Sequence, residues 1–224
     1  MGFAFLGAAI LLAGLNWLAV WRGWRRVNYA SKVLVMVSLF AWLVTSIGFT
    51  ANARFYAAGL VFSLAGDILL LFSARFFLHG LCAFLLTHLC YLVGFINSPP
   101  PITGRIWSVG LMAFFLWVMV YWAIHDVLKG NSAYRRLRQS LAAYSLVIFA
   151  MTASAVMTLF HPNWPPQAAG LAACGALLFL FSDLLLAYDR FQKPLPDARL
   201  WKRVSYHLGQ IAIIAAVIIR NKTI

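Results

Sequence analysis

Eight apolar stretches, each close to the length that crosses a bilayer, divide this chain of 224 residues and limit the folds open to it more than any motif does. They lie near residues 3–21, 33–52, 55–74, 77–97, 106–124, 140–160, 167–188 and 204–219. At about 1.5 Å of rise per residue, a helix of about 20 apolar residues crosses the roughly 30 Å of hydrocarbon in a membrane. No water is present there to satisfy backbone N–H and C=O groups, so each segment has to satisfy its own, as an α-helix does. With 63% hydrophobic and only 10% charged residues, a water-soluble globule would expose far too much apolar surface. The expected fold is all-α and integral to a membrane: eight transmembrane helices in a single polytopic domain, residues 1–224. The longest connections, 124–138 and 189–203, read as short polar or basic loops.

The first apolar stretch has no basic region before it, carries Arg22, Arg25 and Arg26 after it and outruns a signal-peptide core, so it is expected to be a retained helix. Cys82, Cys90 and Cys174 fall inside spans without paired spacing, which points to buried free thiols rather than disulfides or zinc ligands. A net charge of +13 fits a nucleic-acid partner or a membrane surface, but the cations ring the helix ends, where anionic lipid headgroups account for them. Membrane lipids and no nucleic acid are therefore the expected partners. All but four of the 18 Lys and Arg, the exceptions being Arg54, Arg105, Arg220 and Lys222, gather on one side of an eight-span arrangement. Cytoplasmic loops are enriched in Lys and Arg, so that side is expected to face the cytoplasm and both termini the opposite side.

Aligning Gly59 with Gly175, an offset of 116, superposes GLVFSLAGDILLLF on GALLFLFSDLLLAY and Asp67 on Asp183. The offset spans four helices, an even number, so the chain reads as two parallel four-helix repeats, roughly 1–104 and 105–224. Chance likeness between Leu-rich segments is the alternative; the coincident aspartates favour a repeat.

The chain has five Asp and no Glu, and only Asp67 and Asp183 lie within spans; Asp126, Asp189 and Asp197 lie in or beside basic loops. A carboxylate at mid-membrane costs about 2.5–3.5 kcal/mol even on the lenient insertion scale, so the pair marks a functional site. Asp67 precedes Arg75 by eight residues and Asp183 precedes Arg190 by seven, which places both about 10–12 Å inside the basic end. Asn16, Tyr144 and Gln210 reach the same layer, with His88 deeper and Tyr206 and His207 shallower. Together they predict a polar pocket open toward the cytoplasmic leaflet. Gly80, Thr87, Tyr91 and Gly94 follow helical spacing and either line that pocket or make a close helix contact.

Two carboxyls facing one site can hold different protonation states, one donating a proton while the other activates water. That suits hydrolysis of an acid-labile ether or acetal-like bond through an oxocarbenium ion. No Ser or Cys nucleophile signature is present, and Asp67, Asp183 and His88 lack a recognised metal-ligand spacing, so neither a cofactor nor a metal is expected. The alternative is a proton-coupled small-molecule or lipid transporter using the same aspartates. Its usual sign is a helix broken by Gly or Pro near the midplane, whereas all eight prolines read as loop residues.

The sequence resembles the lysoplasmalogenase family of integral membrane proteins, also called YhhN-like. SLAGDILLLF followed by HGLCAFLLTHLCYLVGF is similar to the family's first signature through Ser63, Gly66, Asp67, Gly80, Leu81, Phe84, His88 and Tyr91. GALLFLFSDLLLAYDRF resembles the second through Gly175, Phe179, Ser182, Asp183 and Phe191, and SYHLGQ the closing motif through Tyr206 and Gln210, with His207 in place of a second tyrosine. Tyr144 and Met151 fall at family-like positions, and a Lys-Pro pair opening the family's second helix is here Lys32 followed by Val33. The resemblance implies a hydrolase in a bacterial cytoplasmic membrane. It would cleave the vinyl ether of a lysophospholipid substrate, a lysoplasmalogen, to a fatty aldehyde and glycerophosphoethanolamine or glycerophosphocholine. Asp67 and Asp183 would be catalytic; Ser63, His88, Tyr91, Tyr144, Tyr206, Gln210 and Asn16 would position substrate or water; Lys32, Arg75 or Arg203 would meet the headgroup phosphate. The charge asymmetry predicts that alkaline phosphatase is active when fused to the C-terminus and inactive when placed in the 124–138 connection; the reverse pattern inverts the orientation.

Overall fold

The computed structural model describes residues 2–50, 52–71, 74–97, 103–191 and 197–223. Among them are eight α-helices and no strand: α1 (Gly2–Arg22), α2 (Arg25–Ile47), α3 (Ala53–Leu69), α4 (Phe77–Ile96), α5 (Gly104–Leu128), α6 (Ser132–Met157), α7 (Pro166–Phe191) and α8 (Ala198–Thr223). Seven are long and apolar enough to cross a membrane; α3, with 17 residues, is the exception. Lys193 and Pro99, Pro100, Pro101, Pro194 and Pro196 lie outside the described residues. Pro166 is not a loop residue but the first residue of α7, where the missing N–H leaves no helical bond unmade.

Three helices start well before their apolar stretches: α2 at Arg25 rather than 33, α6 at Ser132 rather than 140, and α8 at Ala198 rather than 204. Helical hydrogen bonding continues through polar residues, so hydropathy marks the hydrocarbon-crossing part of a helix and misses its polar end. Lys32 and Arg203 consequently lie inside helices and not in loops. The expected 124–138 loop contracts to a three-residue turn, 129–131. There the Asn131 side chain accepts from the backbone N–H groups of Ala133 and Tyr134 and donates to the Phe191 carbonyl at 2.8 Å, tying the turn to the end of α7. Between α1 and α2, Gly23 adopts a φ of 73° and the backbone N–H of Trp24 returns to Ala19 at 2.8 Å, which stops α1 and reverses the chain.

Helices adjacent in sequence pack in pairs, α1 with α2, α3 with α4, α5 with α6 and α7 with α8; α8 also closes on α1 and α2, and α4 on α6. Small residues let the backbones approach. A Cβ at Gly175 would sit 2.8 Å from the Gly209 carbonyl, and one at Gly209 would sit 2.8 Å from the Gly175 carbonyl, so α7 and α8 touch there. A Cβ at Gly59 would run into the Tyr91 ring. The Gly80, Thr87, Tyr91 and Gly94 stripe therefore makes the close contact with α3: Thr87 bonds the Gly59 carbonyl at 3.2 Å and Gly94 abuts Tyr56. The cysteines are free, but Cys82 and Cys174 are exposed and Cys90 half-buried, because they sit on outward helix faces rather than in the bundle interior.

Gly175→Val should destabilise the fold by about 1–3 kcal/mol through overpacking against backbone that cannot rotate away. Gly14→Ala, where nothing lies within 4 Å, should be neutral or stabilising. Thermal unfolding in detergent of the two variants compares them directly.

Candidate functional site

Faces of α2, α4, α7 and α8 together with α1 and the end of α3 line an open cavity of about 610 Å³ at the basic end of the bundle. The polar helix ends missed by hydropathy build much of its wall. Arg25, Asn28 and Lys32 follow i, i+3, i+7 spacing on α2, and Arg199, Lys202, Arg203 and Tyr206 follow i, i+3, i+4, i+7 on α8. From α7 come Ser182, Asp183, Leu186, Asp189 and Arg190, from α3 Asp67, and from just beyond its end Leu70. Asp67 and Asp183 both open onto this one cavity.

Asp67 is almost completely enclosed. Its Oδ1 lies 2.7 Å from Lys32 Nζ, the two side chains being 2% and 1% exposed, and its Oδ2 accepts from the Tyr206 hydroxyl at 2.9 Å. Lys32 Nζ also donates to the Asp67 carbonyl at 3.3 Å. An unpaired charge in such a place is expensive, and the ion pair with its added hydrogen bonds offsets that cost. Lys32 is thus fastened to the carboxylate and does not extend to the membrane surface as an interfacial cation would.

Asp183 has different company. Its Oδ2 accepts from the Tyr144 hydroxyl and lies 3.0 Å from His88 Nε2, which is itself 3.0 Å from Tyr144. His88 Nδ1 is buried without a partner, so the ring proton belongs on Nε2, where Asp183 accepts it; a bare buried lone pair costs less than an orphaned N–H. Counting residues puts His88 deeper than Asp183, yet the two meet. Side chains lean toward the N-terminus of their own helix; α4 starts at the basic end and α7 at the other, so imidazole and carboxyl lean toward each other. Asp183 remains 10% exposed, to the cavity.

One aromatic ring links the two groups. Phe179 packs edge-on against His88, with centroids 4.7 Å apart, and against Tyr206 at 5.3 Å. Behind the cavity wall a buried relay crosses three helices: Tyr91 donates to Gln210 at 2.6 Å, Gln210 to Ser63 at 2.8 Å, and Ser63 to Thr87 at 3.2 Å. Ser63, Tyr91 and Gln210 therefore sit behind the aspartates rather than facing the cavity. Asn16 stands apart from both carboxyls. It donates to the Asn28 carbonyl at 2.8 Å and to Ser31 at 3.0 Å, which makes it a fastening between α1 and α2. His207 accepts from the Trp17 indole at 3.2 Å. Arg203 is half-buried in the cavity wall, whereas Arg75 is exposed, stacks on Phe76 at 4.7 Å and does not line the cavity. Arg25, Asn28, Arg199 and Lys202 escaped the sequence reading; their helical spacing on otherwise polar helix ends was the available signal.

The model of the YhhN family matches residues 27–217, which include every residue of both carboxyl clusters. Lysoplasmalogenase TMEM86B of Sus scrofa is 32% identical over 83% of this chain and 73% of its own length. Lysoplasmalogenase TMEM86A of Bos taurus is 31% identical over 71% of this chain, and TMEM86A of Homo sapiens 30% identical over the same share. The matched region spans 63% of the length of each of these TMEM86A proteins. No solved structure matches.

Lys32→Met should leave the Asp67 carboxylate buried and unpaired and lower stability by about 3–5 kcal/mol. Adding Asp67→Asn should restore most of that loss. Unfolding of the single and double variants in one detergent tests the coupling; a double variant as unstable as Lys32→Met contradicts it.

Proposed function

Because the chain belongs to the YhhN family, we propose that it hydrolyses the vinyl ether of a lysoplasmalogen, releasing a fatty aldehyde and glycerophosphoethanolamine or glycerophosphocholine. The observation that carries this reading is the shared cavity: two carboxyls in unlike settings face one space lined by six Lys and Arg side chains and three Asp. The surplus of cations suits an anionic phosphate headgroup, with Arg203 and Arg199 as its partners, Lys202 being paired with Asp189. Lys32, committed to Asp67, contributes through that carboxylate instead.

In the proposed reaction the Asp183 carboxyl gives its proton to the vinyl carbon one removed from the ether-bearing carbon. The resulting oxocarbenium ion is attacked by water, whose proton passes to Asp67. The hemiacetal then breaks its bond to the glycerol oxygen, which takes the proton from Asp67, while the hemiacetal hydroxyl gives its proton to Asp183 and becomes the aldehyde. One water is consumed and both carboxyls return to their starting states. Asp67 suits the base because Lys32 holds it as the carboxylate, and Tyr206 fixes its orientation. Tyr144 and His88 occupy Oδ2 of Asp183, leaving Oδ1 for the proton. Ser63, Tyr91 and Gln210 brace α3, α4 and α8 from behind.

This reading takes all eight helices as spans, α3 included, in a bacterial cytoplasmic membrane, and the halves 1–104 and 105–224 as a parallel repeat. The matching pairs α3–α4 and α7–α8, each carrying one aspartate, support the repeat. Helix α7 runs unbroken past Asp183, unlike the interrupted helices of ion-coupled transporters, and Asp67 lies in the last turn of α3.

Purified protein given lysoplasmenyl-ethanolamine should release aldehyde, and Asp67→Asn or Asp183→Asn should each lower kcat by at least about 100-fold while the thermal transition shows a folded protein. Undiminished turnover in folded variants would remove the carboxyl mechanism. No release from any vinyl-ether lipid by the wild type would remove the reaction.

A further inference from the structure

We propose that the narrow apolar groove between α4, α5, α6 and α7 is the subsite for the substrate's single hydrocarbon chain, entered from the bilayer beside α5. The proposal rests on the vinyl-ether reading for the identity of the lipid, but its geometry stands separately. The groove, about 80 Å³, is walled by aliphatic and aromatic side chains, and three residues, Phe77, Asp183 and Leu186, belong to both it and the cation-rich cavity. An apolar compartment and an anion-binding one therefore meet at the Asp183 carboxyl. A lysolipid has the same division, a hydrocarbon chain on one side of its ether oxygen and a charged headgroup on the other. Chain in the groove and phosphate in the cavity bring the vinyl ether to Asp183.

The length and the packing agree, and because the free volume is only that of about three water molecules, side chains beside α5 part to seat a full chain. Along α5 the groove runs from Trp117 to Leu128, about 16 Å at 1.5 Å per residue. One leaflet's share of a bilayer's hydrocarbon, half of about 30 Å, is close to that length. Helix α5 gives the groove one helical stripe, Trp117, Val120, Tyr121, Ile124 and Leu128, and turns Phe115 and Met119 outward, Met119 being 70% exposed. At the basic end the groove is closed by the buried Leu128, Tyr134 and Phe191, which separates it from water there. Elsewhere α1 packs on both α2 and α8, whereas α5 packs closely on α6 alone and leaves open the space beside α4 that the groove occupies. A helix held on one side only, facing lipid on the other, gives a chain a lateral way in.

Two measurements test the assignment. In nanodiscs, a 1-alkyl lysophosphatidylcholine with a diazirine on its chain should label Trp117, Val120 or Ile148, and Val120→Trp should abolish that labelling while Met119→Trp keeps it. Label confined to outward positions such as Phe115 and Met119 would overturn the proposal. With vinyl-ether lysolipids, Val120→Trp should lower the ratio of kcat/KM for an 18-carbon chain to that for a 4-carbon chain by about tenfold or more, the order that a few lost methylene contacts are worth. Met119→Trp should leave the ratio unchanged, and an equal ratio in both variants would overturn the groove. An alkyl ether is not cleaved, so its labelling does not depend on the reaction. A wild type that labels in the groove but releases no aldehyde refutes the reaction and keeps the subsite. One that releases aldehyde but labels only outward positions does the opposite.

Discussion

Asp67 can be held as a carboxylate inside an apolar helix bundle because Lys32 stands 2.7 Å away, and much of the surrounding structure follows from that contact. The ammonium has to be inside the bundle, so α2 must already be helical at its polar end, seven residues before Lys32. The second carboxylate oxygen takes the Tyr206 hydroxyl, which draws α8 to the same point. One carboxylate thus joins α2 and α3 to α8, which lies far from both in the sequence. Removing any partner leaves a nearly fully buried charge or dipole unpaired, so the register of all three helices is fixed by a polar contact rather than by apolar packing alone.

The two carboxyls are alike in sequence and unlike in surroundings. A cation and a phenol hold Asp67; a phenol and an imidazole hold Asp183, which keeps an edge toward the cavity. Phe179 packs against a partner of each, so the two environments are adjacent and yet distinct. Acid and base roles for chemically identical groups require such a difference, because environment is all that can separate them. The proposed chemistry uses it directly: the carboxyl beside the lysine receives a proton, and the one at the edge of the apolar groove gives one.

The helical membrane fold was legible because about 20 apolar residues in a row have few other uses, and both aspartates stood out because a carboxyl inside such a run is costly. Lys32 and Arg203 were placed outside the helices because hydropathy sees where hydrocarbon begins and not where a helix begins; each lies inside a helix whose first turns are polar. The spacing of Arg25, Asn28 and Lys32, and of Arg199, Lys202, Arg203 and Tyr206, held the missing information, since each set falls on one helical face. Asn16 was grouped with the site by depth alone, but depth carries no azimuth, and the side chain turns to α2. The meeting of His88 with Asp183 depended on the opposite lean of side chains on helices of opposite direction, which counting along either helix does not include.

Aldehyde release by Asp67→Asn, Asp183→Asn and the double variant, compared at saturating lysoplasmenyl lipid, measures most directly whether the two carboxyls act on one substrate. Groups that work as a unit are non-additive, so the double variant should turn over about as slowly as the slower single variant. Losses that multiply, giving a double variant slower by the product of the two single effects, would contradict a shared reaction at one cavity.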